Sequence, residues 1–162
     1  MPPAFEIRPA ATPDELAGIA RLFQAYATSL DIDLGYQDFA SELTGLPGKY
    51  AAPHGALLLA RNENTEAIGC VGLRPLDAPG VCEMKRLFVA PAGRGLGLGR
   101  ALVDAVIEEA RRSGYQEMRL DTLSTMTAAQ ALYRQAGFEV ISSYYDTPIE
   151  GTIFMRLALA PQ

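Results

Sequence analysis

Apolar positions along the chain change period near its middle. In the first part, Leu16, Ile19, Ala20, Phe23 and Ala27 recur at helical spacing behind Thr12-Pro13-Asp14-Glu15, which predicts a helix. Thr12 is placed to cap it, Pro13 suits the first helical position, and Glu15 completes a capping box. Residues 5–8 precede it as a short strand. Residues 30–36 read as a loop, and residues 37–46 as a shorter helix stopped by Pro47-Gly48. Three apolar runs follow, at residues 56–61, 67–73 and 81–90. Asn62-Glu63-Asn64 and the proline- and glycine-containing stretch 74–80 separate them, the pattern of an antiparallel meander.

Helix and strand then alternate. Leu98, Leu102, Val106 and Ala110 form a stripe that Val103 and Ile107 widen and Gly114 ends, the mark of an amphipathic helix packed on one face. Residues 118–123 read as a strand. Thr127 and Gln130 suggest a capping box for a helix ending at Gly137, with closing strands at 138–145 and 152–159. The order βααβββαβαββ implies an α/β (α+β) fold, a mixed sheet with helices on both faces. A length of 162 residues suits one domain, residues 1–162, with a core of its own.

Composition narrows the function. A net charge of −5 repels phosphate backbones, so no nucleic-acid partner is expected. An anionic ligand must then find its positive charge in a local site. Glu6, Asp14 and Glu15 argue against a signal peptide, and the longest purely apolar run, residues 56–60, is too short for a membrane span. Cys70 and Cys82 lie in apolar strand-like runs and make no disulfide framework. They read as buried free thiols in a reducing, cytoplasmic setting. With His54 alone and no Cys-x-x-Cys, no metal site is expected.

The chemistry concentrates between the third strand of the meander and the next helix, in Val89-Ala-Pro-Ala-Gly-Arg94-Gly-Leu-Gly-Leu-Gly-Arg100. Glycine permits positive φ and lets a ligand approach the backbone, and the free amides of a helix start attract anions. Arg94 and Arg100 flank that start, where cations oppose the macrodipole. A bound polyphosphate reverses the sign of that penalty. Other phosphate motifs fail: Arg100-Ala101 replaces the Lys-Ser/Thr of a P-loop, and no start among these glycines gives Gly-x-Gly-x-x-Gly.

Arg94-Gly-Leu-Gly97-Leu-Gly99 resembles the Arg/Gln-x-x-Gly-x-Gly/Ala signature of the GNAT superfamily of N-acetyltransferases. The preceding Glu83-Met-Lys-Arg-Leu-Phe-Val89 and the later Ala131-Leu-Tyr133-Arg-Gln-Ala-Gly137-Phe138 look like that family's adjoining motifs. The resemblance implies a mostly antiparallel sheet with a splayed parallel pair at its centre. It implies acetyl-CoA as cosubstrate, with the pantetheine arm on the backbone of Leu87, Phe88 and Val89. The pyrophosphate would lie on the amides of Arg94, Gly95, Leu96, Gly97, Leu98, Gly99 and Arg100. The acceptor would be a primary amine of a small molecule or peptide, attacking the thioester directly; a homodimer is left open. A regulatory module that binds acyl-CoA without turnover is the alternative.

Two residues carry the expected catalysis. Glu83 lies in an apolar strand, where a carboxylate is costly unless paired. It matches a glutamate that some histone acetyltransferases of the superfamily use as base. A contact to the substrate ammonium, or a structural pair with Lys85, Arg86 or Arg74, remains open. Tyr133 is expected at the edge of the apolar stripe Ala129, Leu132 and Ala136, where relatives place a tyrosine on the coenzyme sulfur; an ordinary core tyrosine is the alternative. Many relatives have asparagine seven residues earlier, where this chain has Met126. Tyr144 and Tyr145 read as strand aromatics, with lining of an acceptor pocket as the alternative, His54 as an exposed loop residue, and Asp31 and Asp33 as either solvated or facing a cationic acceptor.

Overall fold

The computed structural model describes residues 4–30 and 33–159. Its elements are β1 (Phe5–Pro9), α1 (Pro13–Ser29), α2 (Phe39–Thr44), β2 (Ala56–Asn62), β3 (Ala67–Pro75), β4 (Val81–Val89), α3 (Leu98–Arg112), β5 (Glu117–Thr122), α4 (Thr127–Ala136), β6 (Glu139–Ile141) and β7 (Ile153–Ala158), with 3-10 turns at Leu34–Gln37, Gly48–Tyr50 and Pro91–Gly93. The sheet runs β1-β2-β3-β4-β5-β7-β6. All pairs are antiparallel except β4–β5.

Strand alternation sends side chains to two cores. Ile68, Val71, Leu73, Cys82, Met84, Met118 and Leu120 pack against the α3 stripe of Leu98, Leu102, Val103, Val106, Ile107 and Ala110. Leu57, Leu59 and Cys70 face Ile19, Leu22 and Phe23 of α1 on the other side. Truncating a fully buried residue such as Leu102 to alanine is expected to cost about 2–5 kcal/mol. Thr12 caps α1 by accepting from the Glu15 amide, while the Glu15 carboxylate accepts from the Thr12 amide at 2.9 Å. Those hydrogen bonds hold the Glu15 carboxyl near pKa 2, well below its usual range.

The parallel pairing is short. Val81, Cys82 and Glu83 pair with Glu117, Met118 and Arg119, and there the β4–β5 register stops. The β3–β4 register also shifts between Cys70 and Gly72, opposite Arg86, which takes φ 61°. Gly72 admits the Tyr50 ring, since a Cβ there would lie 2.6 Å from Tyr50 Cε1. Beyond Glu83, β4 thus bends away from β5 and leaves backbone free along both margins of a gap.

Some local expectations need correction. A 3-10 turn fills the start of the second helix, so α2 begins at Phe39. The N-cap of α4 is Met126, with no side-chain capping bond. The Gln130 amide instead donates to Leu123 O at 2.8 Å and to Ser124 O, tying α4 to the end of β5. Tyr133 is central to the buried face of α4 rather than at its edge. The closing strands are shorter than the apolar pattern suggested. Residues 142–152 leave the sheet, so Tyr144 and Tyr145 are loop aromatics, packed edge-on against Phe154 at 5.1 and 5.2 Å.

Candidate active site

The turn before α3 uses its glycines in two ways. Gly95 and Gly97 take φ 79° and 74°, and a Cβ on either would meet open space. At Gly93 a Cβ would lie 2.9 Å from Ile68 O, and at Gly99 3.0 Å from Leu132 Cδ1; these two permit close packing. Gly97 caps α3 without any side-chain bond, so the first amides of the helix keep their hydrogens for a ligand. Arg94 lines a groove of about 400 Å³ together with Leu87, Phe88, Val89, Gly99, Met126 and Leu132. Arg100 does not line it; the Arg100 guanidinium pairs with Asp104 one turn on, at 3.1 Å.

At its inner end the groove meets a small chamber of about 30 Å³, set where β4 and β5 part. Leu87, Met126 and Tyr26 line both cavities, while Lys85, Asp121, Thr122 and Tyr133 line the chamber. Tyr133 is buried and stacks edge-on with Phe138 at 5.9 Å. Its hydroxyl makes no hydrogen bond among the described residues. Burial pushes that hydroxyl's pKa well up, so it stays protonated and able to donate. The Thr122 Oγ1 is buried and also lacks a partner among the described residues.

On the face toward α1 and α2, two buried cations and the half-buried Arg74 meet three carboxylates. Arg74 Nε and Nη2 both reach Glu83 Oε1 at 2.8 Å, and the Tyr144 hydroxyl donates to Glu83 Oε2. Arg86 forks onto Glu42 with two contacts of 3.1 Å and lies 5.1 Å from the Phe39 ring centre. Lys85 Nζ lies 3.7 Å from Asp121 Oδ2, which also accepts from the Tyr145 hydroxyl at 2.8 Å. Burial holds the Lys85 ammonium below the ordinary lysine range, opposed by the Asp121 charge.

Glu83, Leu87 and Tyr133 thus lie on elements that converge at the gap, yet Glu83 does not line the chamber. Both its oxygens are engaged, and its pairing with Arg74 is one of the roles left open from sequence. Asp33 caps the first 3-10 turn through the Gly35 amide at 2.8 Å, and Asp31 lies outside the described residues. His54 is exposed and accepts from the Tyr115 hydroxyl through its carbonyl. Sequence reasoning passed over Lys85, Asp121 and Thr122 as site residues, and it set an acceptor-pocket role for Tyr145 second to a strand aromatic. A signal was present: Glu83 and Lys85, then Arg119 and Asp121, are charged residues two apart that alternate with Met84 and Leu120, which places all four on one sheet face.

The acetyltransferase (GNAT) family model matches residues 13–138, and the chain belongs to that family. It is 42% identical over 148 residues to an uncharacterised N-acetyltransferase of Schizosaccharomyces pombe, an alignment covering 91% of each chain. A GNAT-family acetyltransferase from Staphylococcus aureus shares its fold at TM-score 0.80 and 23% identity, over 97% of this chain and 100% of that one. A putative acetyltransferase from Salmonella typhimurium, solved with its cofactor acetyl-CoA, superimposes at TM-score 0.69 and 24% identity, covering 98% and 96%. The protein is an N-acetyltransferase enzyme, and no helix among the described residues is long and apolar enough to cross a membrane.

Proposed function

We propose that this enzyme moves the acetyl group of acetyl-CoA to a primary amine of a small molecule or peptide, by direct attack of the amine on the thioester. The observation that carries this reading is a pair of adjoining cavities. A groove beside the start of α3 and the backbone end of β4 shares Tyr26, Leu87 and Met126 with a chamber that Tyr133 lines. The residues fit the cosubstrate. Gly95 and Gly97 leave open space where a diphosphate would sit, and Arg94 supplies the cation the acidic chain otherwise lacks there. The acetyl-CoA of the Salmonella structure, which has the same fold, supports that choice.

The thioester supplies an activated acetyl group; the chain supplies position and proton handling. Backbone of Leu87, Phe88 and Val89 on the open margin of β4 aligns the pantetheine arm, and an amide near Val89 offers a hydrogen bond to the developing oxyanion. Tyr133 donates to the departing sulfur. Glu83 is read as the partner that holds Arg74 and Tyr144 in place. Two buried free thiols, Cys70 and Cys82, fit a cytoplasmic setting. The test is a panel of amines offered with acetyl-CoA, following free thiol. Release that depends on amine, with the acetylated amine found by mass, is expected. Tight binding of acetyl-CoA with no amine-dependent release across the panel overturns the reading.

A further inference from the structure

Acetyl transfer to an ammonium requires a group that takes the first proton, and Glu83 is too enclosed for it. Its side chain is 2% exposed, Arg74 occupies one oxygen, Tyr144 the other, and it stands off the chamber wall. Asp121 differs in each respect. It lines the chamber, its side chain is 15% exposed, and its nearest contacts, Lys85 Nζ and the Tyr145 hydroxyl, both fall on Oδ2. The neighbouring Thr122 hydroxyl is an independent sign of a polar ligand. It belongs to a residue 4% exposed, lines the same chamber, and has no protein partner among the described residues.

We propose that Asp121 is the catalytic carboxylate of the acceptor site: Oδ1 seats the substrate ammonium and takes its first proton, while Lys85 and Tyr145 hold Oδ2. This rests on the proposed function, and it fixes the acceptor as an amine that arrives protonated and enters on the face toward α1 and α2, beneath the loop that carries Tyr144 and Tyr145. A free alkylammonium is a weaker acid than a carboxyl group by roughly six pKa units. Proton loss therefore needs help, and the Lys85 charge beside the seat favours the neutral amine.

The step balances as follows. One ammonium proton passes to Asp121, and the freed nitrogen pair attacks the thioester carbonyl carbon, forming C–N. As the carbonyl re-forms, the C–S bond breaks and its electron pair stays on sulfur. A second nitrogen proton reaches that sulfur by way of the Tyr133 hydroxyl, and Asp121 releases its proton to solvent. Ammonium and thioester become amide, thiol and one proton.

The test compares Asp121→Asn with the native enzyme, using the amine that gives the fastest thiol release. The expected result is a fall in kcat/KM for the amine of about 10²–10⁴-fold, the usual range for a general acid–base group, with calorimetric affinity for acetyl-CoA within threefold. If Asp121→Asn melts because the Lys85–Asp121 pair is lost, Asp121→Glu takes its place. It keeps the charge but moves the carboxylate by one methylene, and a loss of at least tenfold is expected. A folded variant within threefold of native in amine turnover overturns the assignment of Asp121 alone. A native enzyme that binds acetyl-CoA and acetylates no amine overturns the proposed function and this inference together.

Discussion

The proposed cofactor groove and the proposed acceptor face are built from different material. One wall of the groove is mostly backbone, the glycine turn, the uncapped start of α3 and the unpaired margin of β4 within residues 87–100, and the start of α4 supplies the other wall. The acceptor face is mostly side chain, and its bonds join distant parts of the chain. Tyr144 reaches Glu83 across 61 positions and Arg86 reaches Glu42 across 44. A backbone site tolerates a change of flanking side chain but not a change of conformation. A side-chain lattice does the opposite: each charge depends on a partner, and losing one strands the other.

The sharpest way to break the contrast is Gly97→Glu. It forces a side chain onto φ 74° in open space and sets a negative charge where the helix start favours an anion. Affinity for acetyl-CoA is expected to fall about 10³-fold by calorimetry, while the core beneath stays intact. Unchanged affinity would remove the diphosphate from this turn.

On the opposite face, Glu83→Gln should act on stability before rate. It leaves the Arg74 guanidinium, 25% exposed, without its carboxylate, and Tyr144 with a weaker acceptor. Losing one member of a buried pair costs about 3–5 kcal/mol; because Arg74 reaches solvent, a loss of about 2–3 kcal/mol is expected in denaturant titration. Turnover per folded molecule should fall less than tenfold. A hundredfold loss in a folded variant would restore Glu83 as base.

Alkali probes the two cores flanking the sheet, because each holds one buried thiol. Cys82 belongs to the core beneath α3 and Cys70 to the core beneath α1. Burial pushes the Cys82 thiol from 9.0 up to about 12, and the Cys70 thiol higher still. A raised folded pKa gives stability that is whole below pH 9 and is lost as pH climbs toward the folded value. At pH 10.5 that amounts to about 2 kcal/mol per thiol. Cys82→Ala and Cys70→Ala should each flatten the fall between pH 8 and 10.5 by that amount; a slope unchanged in both would show that the thiols do not govern it.

Legibility followed the same division. Short-range signals placed elements well: the capping box of α1, the stripe that fixes α3 at Leu98–Arg112, and the glycine turn all depend on residues within one or two helical turns. The order of elements was readable, and Leu87, Phe88, Val89, Arg94 and Gly99 of the expected cofactor residues line the groove. The acceptor lattice was not, because periodicity assigns a residue to a face without saying which charge it will meet there. Thr127 and Gln130 mimicked a capping box, yet the competing carbonyls of Leu123 and Ser124 took the glutamine amide. Residues 138–145, with Val140, Ile141 and two tyrosines, suggested a longer strand. Contacts of Tyr144 with Glu83 and of Tyr145 with Asp121 hold the aromatic pair off the sheet edge instead.

Tyr133 belongs to both regions, since it is a core residue of α4 that lines the chamber. Tyr133→Phe keeps the ring and its edge contact with Phe138. The hydroxyl has no protein partner among the described residues, so its removal strands nothing and should leave the melting temperature nearly unchanged. Affinity for acetyl-CoA should stay within twofold, because the help is needed as the C–S bond breaks. Turnover should fall about tenfold, which is about 1.4 kcal/mol of stabilisation present in the transition state and absent from the ground state. A purely structural tyrosine would give the reverse, with lowered melting and normal turnover. Measuring kcat and melting on the same preparation decides between them, and normal kcat would detach the sulfur from Tyr133.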